Sequence, residues 1–135
     1  TARSRGLGDV YKRQIYTYLI LGLVLNWIFT PIIAASDFGF VFNELSSNAQ
    51  NALLRDFSAF FVATFLFSIL GVITLNSAWF FSAGIVYTCA GIFNLIAIYI
   101  YGTDYNQIFI GEFFLGIFPI ALGTIISYQK KKAKV

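Results

Sequence analysis

Four long apolar stretches, Ile15–Ala35, Leu53–Leu75, Trp79–Tyr101 and Ile108–Tyr128, dominate this 135-residue chain. Each is close to the ~20 residues that a helix needs to cross the hydrocarbon of a bilayer. A helix on the surface of a water-soluble domain shows a regular polar face, and these stretches show almost none. The expected fold is therefore all-α, a four-helix transmembrane bundle. Charged residues make up 11% of the chain, against about 25% in ordinary soluble domains. Sixteen phenylalanines would drive such a chain to aggregate in water. One membrane domain takes up the whole length, with no room for a separate soluble unit.

The opening segment, Thr1–Gln14, is different in kind. It reads TARSRGLGDVYKRQ, is basic, and does not begin with Met. It resembles a leader that recurs in front of unrelated translated fragments. It is read as non-native, either disordered or a helix extension, and is set apart from the fold. Its four cations and one acid carry the whole net charge of +3, so the remaining chain, with five of each sign, is neutral. The basic balance therefore gives no ground for a nucleic-acid partner. The lipid bilayer is the expected partner, with a second copy of the chain or another membrane subunit as further candidates.

The first stretch is too long for a signal peptide, and Ile33-Ala34-Ala35 is a poor cleavage site, so it is kept as a span. Thr30-Pro31 predicts a kink or early exit, because proline lacks a backbone donor and clashes with the preceding turn. Ser36–Ala52 is the longest connection. Its aromatic middle, Phe38–Phe42, suits the lipid–water interface, with a short helical turn. Ser46-Ser47-Asn48 offers N-caps for the second helix. The Asn76-Ser77 link predicts a tight antiparallel pair of helices, and Gly102–Asn106 a polar turn. The segment 129–135 is a basic tail that the positive-inside rule places in the cytoplasm. Four spans then put both termini there, in a bacterial inner membrane. The outer loops hold Asp37, Glu44 and Asp104 without Lys or Arg.

The candidate polar site consists of Arg55, Glu112, Asn94 and Asn26. Arg55 and Glu112 lie near the outer ends of the second and fourth helices. Arg55, Ala59 and Ala63 form one small-residue stripe, and Glu112, Gly116, Pro119 and Gly123 another. Gly84, Gly91 and Asn94 share a face of the third helix, and Gly22, Asn26 and Thr30 a face of the first. Small residues let helices approach closely, so these faces are expected to point inward. A charge at the bilayer centre costs roughly 2.5–3.5 kcal/mol, less toward the interface, and pairing offsets it. Arg55 and Glu112 are therefore expected within salt-bridge distance, assisted by Asn94 or a tyrosine, with Asp56 directed elsewhere. Such a pair serves to fix helix register, to form a small outward-facing polar pocket for an ion, a proton or a head group, or to make an interface with another membrane subunit.

With no histidine, no metal-ligand cluster, no phosphate-binding loop and no nucleophile elbow, the sequence offers no catalytic set and implies no cofactor. Cys89, the one cysteine, reads as core packing. Trp79 and Tyr128 at one boundary and Tyr99, Tyr101 and Tyr105 at the other read as interfacial belts. The expected role is that of a non-enzymatic integral membrane protein with a polar site in the outer half. A small-solute or proton-coupled transporter is the alternative, although the first helix carries no charge.

Asn51-Ala52-Leu53-Leu54-Arg55 opens the second helix ahead of a small-residue run, a tight turn leads to the third, and Glu112 stands early in the fourth. This order resembles the bacterial family of small four-helix membrane proteins catalogued as domain of unknown function 4345, and broadly the DoxX-like proteins, over about Ile15–Tyr128. That family usually places glycines shortly after the arginine, where this chain has Phe57–Ala59. It often carries a second arginine in the third helix, near where Asn94 stands. The resemblance implies the fold and no established activity. Its DoxX-like side implies a further alternative, an accessory subunit of a membrane oxidoreductase.

Overall fold

A long apolar segment in lipid has one inexpensive conformation, the helix, because every backbone donor and acceptor is then satisfied within the segment. The computed structural model describes the backbone of residues 2–102 and 107–133 and the side chains of 10–102 and 110–133. Five α-helices follow one another: α1 (Ala2–Phe29), α2 (Pro31–Asp37), α3 (Ser47–Thr74), α4 (Ser77–Tyr101) and α5 (Gln107–Ala133). A short 3₁₀ turn, Phe42–Glu44, lies between α2 and α3. Among the described residues, three helices are long and apolar enough to cross a membrane, and the count is four if α1 and α2 form one bent span. Large apolar side chains also point away from the bundle, among them Ile73 (72% exposed), Ile85 (58%) and Phe93 (69%). Apolar surface on every side is what lipid as solvent requires.

Helix ends follow local chemistry. The Ser46 hydroxyl accepts from Ala49 N–H at 3.2 Å and caps α3. The Asn76 side chain accepts from Ala78 N–H at 3.1 Å and caps α4. Between them Leu75 closes α3 in the left-handed conformation (φ 53°), a strained position for a leucine. Gly102 closes α4 in the same conformation without that strain.

Several boundaries differ from the sequence reading. The kink expected at Thr30-Pro31 is present, and its 117° turn is sharp enough to divide the first stretch into two helices. Helix α3 begins at Ser47 rather than Leu53, and Gln50 Nε2 ties its first turn to Phe42 O at 2.8 Å. Helix α5 continues through Lys130, Lys131 and Lys132 to Ala133, so these lysines belong to a helix and not to a loose tail. Helix α1 runs through most of the segment read as a leader, and Arg13 within that segment is buried. Most of the Gly102–Asn106 turn, with Asp104 and Tyr105, falls outside the described residues.

Helices α4 and α5 approach most closely. A Cβ placed on Gly84 would stand 2.9 Å from Gly116 O, and one on Gly116 would stand 2.9 Å from Thr88 N. Nearby glycines seat aromatic rings: a Cβ on Gly91 would meet the Phe113 ring at 2.8 Å, and one on Gly123 the Phe81 ring at 3.0 Å. The faces expected of these two helices are thus the ones that pack.

The other two helices present different faces inward. In α1 the buried residues are Arg13, Tyr16, Ile20, Val24 and Trp27, while Gly22 has open space around it. In α3 they are Phe61, Thr64, Ser68 and Gly71, while Ala59 and Ala63 are exposed. Hydroxyls join these helices to their neighbours. Thr17 Oγ1 donates to Arg13 O at 3.0 Å and accepts from Ser68 across the α1–α3 contact. Thr64 Oγ1 donates to Phe61 O at 3.0 Å, which leaves the Tyr87 hydroxyl as donor across 2.8 Å between α3 and α4.

The two prolines have contrasting effects. Pro31 ends α1, whereas Pro119 lies buried inside α5 and the helix continues past it. A proline has no N–H, so Leu115 O, four residues earlier, loses its helical donor. The buried Tyr16 hydroxyl of α1 donates to that carbonyl at 3.0 Å. In lipid, an unsatisfied carbonyl would otherwise remain. Tyr16→Phe keeps the ring and should destabilise the protein by about 1–2 kcal/mol. In a Pro119→Ala background, where the N–H returns, the same change should cost less than about 0.5 kcal/mol. Reversible unfolding in detergent micelles measures both, and equal costs in the two backgrounds would refute the link.

Candidate functional site

The end of the bundle opposite the lysines is built around rings. Turning at Pro31 carries Phe38 back to Trp27 (ring centroids 5.9 Å) and edge-on to Phe57 (4.9 Å, 61°). Trp27 stacks on Phe57 at 4.9 Å and 17°. Phe60 meets both Phe61 (5.3 Å, 89°) and Tyr87 (5.1 Å, 87°) edge-on. Offset and edge-on geometries of this kind each add ~0.5–1.5 kcal/mol beyond burial.

All of these rings except Trp27 wall a cleft of about 410 Å³. Helix α1 contributes Leu23; α2 contributes Asp37, and Phe38 follows it; α3 contributes Asp56, Phe57, Phe60 and Phe61. Helix α4 supplies Tyr87 and Ala90, and α5 supplies Gly111, Glu112 and Leu115. The volume lies within the range of small-molecule sites, and the composition matches them: mostly apolar walls with few polar groups. Those polar groups are acidic. Asp37 and Asp56 are exposed, and Glu112 is half-buried.

Glu112 is fixed from α4. Asn94 Nδ2 donates to Glu112 Oε2 at 3.3 Å, one helical turn from where Gly91 receives the Phe113 ring. The expected salt bridge is not formed. Arg55 Nε instead donates to Asp56 Oδ1 at 3.0 Å, with both side chains 67% exposed, and Nη1 reaches Asn51 Oδ1 at 3.5 Å. The physical reason lies in the face of α3. Its rings Phe57 and Phe61 take the interior and turn Arg55 outward, where the neighbouring carboxylate is within reach. Asp56, expected to point away from its neighbour, pairs with it and also lines the cleft. Asn26 lies off the cleft, accepting at Oδ1 from the Thr30 hydroxyl one turn along. The structure therefore joins Asn94 to Glu112 and leaves Arg55 and Asn26 apart from them.

Cys89 is exposed, which corrects its assignment to the core. Among the described residues no group of three or more His, Cys, Asp or Glu could hold a metal ion. Asp37, Asp56, Tyr87 and the phenylalanines were missed as site residues. Their signal in the sequence is slight: aromatic residues clustered at 57, 60 and 61, and acids at the margins of apolar stretches. The chain matches no protein-family model, no curated protein and no solved structure.

The observed pairing sets the outcome of a mutant series. Glu112→Gln can still accept from Asn94. Asn94→Ala and Glu112→Ala should show a coupling of about 0.6 kcal/mol, the usual size of an interhelical hydrogen bond in a membrane. Arg55→Ala and Glu112→Ala should have strictly additive effects on melting temperature. A double variant less destabilised than that sum would restore the Arg55–Glu112 pair.

Proposed function

We propose that the chain is a four-helix transmembrane bundle of a bacterial inner membrane, with α1 and α2 forming one broken span and both termini cytoplasmic. Lys130–Lys132 at one end and Asp37 and Glu44 at the other support that orientation through the positive-inside rule. The cleft then lies in the outer half. The resemblance to the small four-helix membrane proteins named above agrees with this architecture and brings no activity with it.

Within that frame the protein is a non-enzymatic, membrane-embedded binder of a small molecule. The observation that carries this reading is the aromatic cleft of about 410 Å³, into which a fixed carboxylate, Glu112, projects. Binding from one side is favoured over passage, because the lysine half is packed by Tyr16, Ile20, Phe80, Leu122 and Ile126.

Two experiments test these statements. Reporter fusions should place the C-terminus in the cytoplasm and a site between Asp37 and Ser46 outside. The opposite pattern would reverse the orientation. Ala90→Phe adds a ring to the cleft wall and should abolish a small molecule that is enriched in solvent extracts of the purified protein, as measured by mass spectrometry. Leu115→Phe serves as the second variant, with helicity and monodispersity checked for each. If a correctly folded variant keeps the same extracted molecules, the cleft is a packing gap and the binding reading falls.

A further inference from the structure

The cleft combines two features that a neutral ligand does not need. Its walls include the aromatic rings of Phe38, Phe57, Phe60 and Tyr87, and its acidic groups are Asp37, Asp56 and Glu112. Ring faces carry a negative quadrupole and attract cations, most strongly where water is excluded. The carboxylates act in the same direction. Asp56 is already paired with Arg55. Asp37 and Glu112 have no cationic partner among the described residues.

Glu112 also has unused capacity. A carboxylate offers about four lone-pair sites on two oxygens. Asn94 occupies one site on Oε2, and no second donor reaches Glu112 among the described residues. A charge without a partner is unfavourable beside apolar walls, and a ligand carrying both a positive charge and an N–H would relieve it.

We propose that the cleft binds a protonated organic amine with an aromatic or aliphatic body. The ammonium donates to Glu112, with Asp37 adding long-range attraction at the rim, and the body lies against the phenylalanine and tyrosine rings. This rests on the cleft being a ligand site, as argued above, and adds the charge class of the ligand.

The full chain in lipid nanodiscs, titrated calorimetrically with 1-naphthylmethylamine and its neutral counterpart 1-naphthalenemethanol, separates the two ideas, with empty nanodiscs subtracted. The amine should bind at least tenfold more tightly than the alcohol. Glu112→Gln should bring the two within about twofold while leaving alcohol binding in place, and Asp37→Asn should reduce the preference for the amine partly. Equal binding of amine and alcohol by the unaltered protein would overturn the charge class while leaving the ligand site intact. Binding of neither would overturn both. An amine preference unchanged in a folded Glu112→Gln protein would remove Glu112 from the site and refute the proposal.

Discussion

A backbone carbonyl released by a proline determines how this bundle closes. Pro119 cannot donate to Leu115 O, and the hydroxyl of Tyr16 takes the place of the missing amide. Tyr16 then stacks on Phe118 at 5.5 Å and meets Phe80 edge-on at 6.5 Å, so one residue of α1 registers against both α4 and α5. In water the released carbonyl could be hydrated at little cost. In hydrocarbon it needs a protein donor, which turns a local defect in α5 into a directional attachment for α1. The attachment fixes where α1 and α5 are held together. Leu23 of α1 and Gly111 and Glu112 of α5 lie beyond it toward the far end, and there the cleft separates the two helices.

Packing elsewhere depends on size complementarity rather than on the transfer of apolar groups from water, which gives helices no reason to associate in lipid. Glycine and phenylalanine are used as matched halves. Gly71 receives the ring of Phe80, Gly91 that of Phe113, and Gly123 that of Phe81. Each ring fills the volume a Cβ would have occupied and brings two helix axes together. The high phenylalanine content thereby becomes structural on the inside, while outward rings such as Phe93 are simply soluble in lipid.

The sequence was legible where one rule acted alone. Stretch length marked α3, α4 and α5, and small-residue spacing marked the inward faces of α4 and α5, because close approach there really is made through Gly84 and Gly116. The same spacing misled for α1 and α3. In those helices large rings, Trp27 and Phe61, hold the interior, and the small residues Gly22, Ala59 and Ala63 lie outside. A helix that is apolar all round has no polar face to reveal its orientation, so aromatic and small stripes compete for the inside and composition does not decide between them. The error carried through to the candidate site. With α3 rotated, Arg55 left Glu112 for Asp56, while Asn94 and Glu112, set by the correctly read pair, remained together.

What remains is why an acid stands at residue 112 at all. A glutamine would accept the Asn94 bond equally well and would avoid the penalty of a charge near hydrocarbon, so the carboxylate contributes nothing that the bundle needs for stability. Nor does it neutralise a cation among the described residues, since Arg55 is engaged elsewhere. Its one distinctive property is a negative charge held by Asn94 at the edge of an aromatic cleft. A bundle optimised for packing alone would have filled that space with an apolar side chain and dispensed with the charge. An open volume and an unneutralised acid at the same place are two departures from stability, and a single occupant with a positive group and an apolar body would account for both.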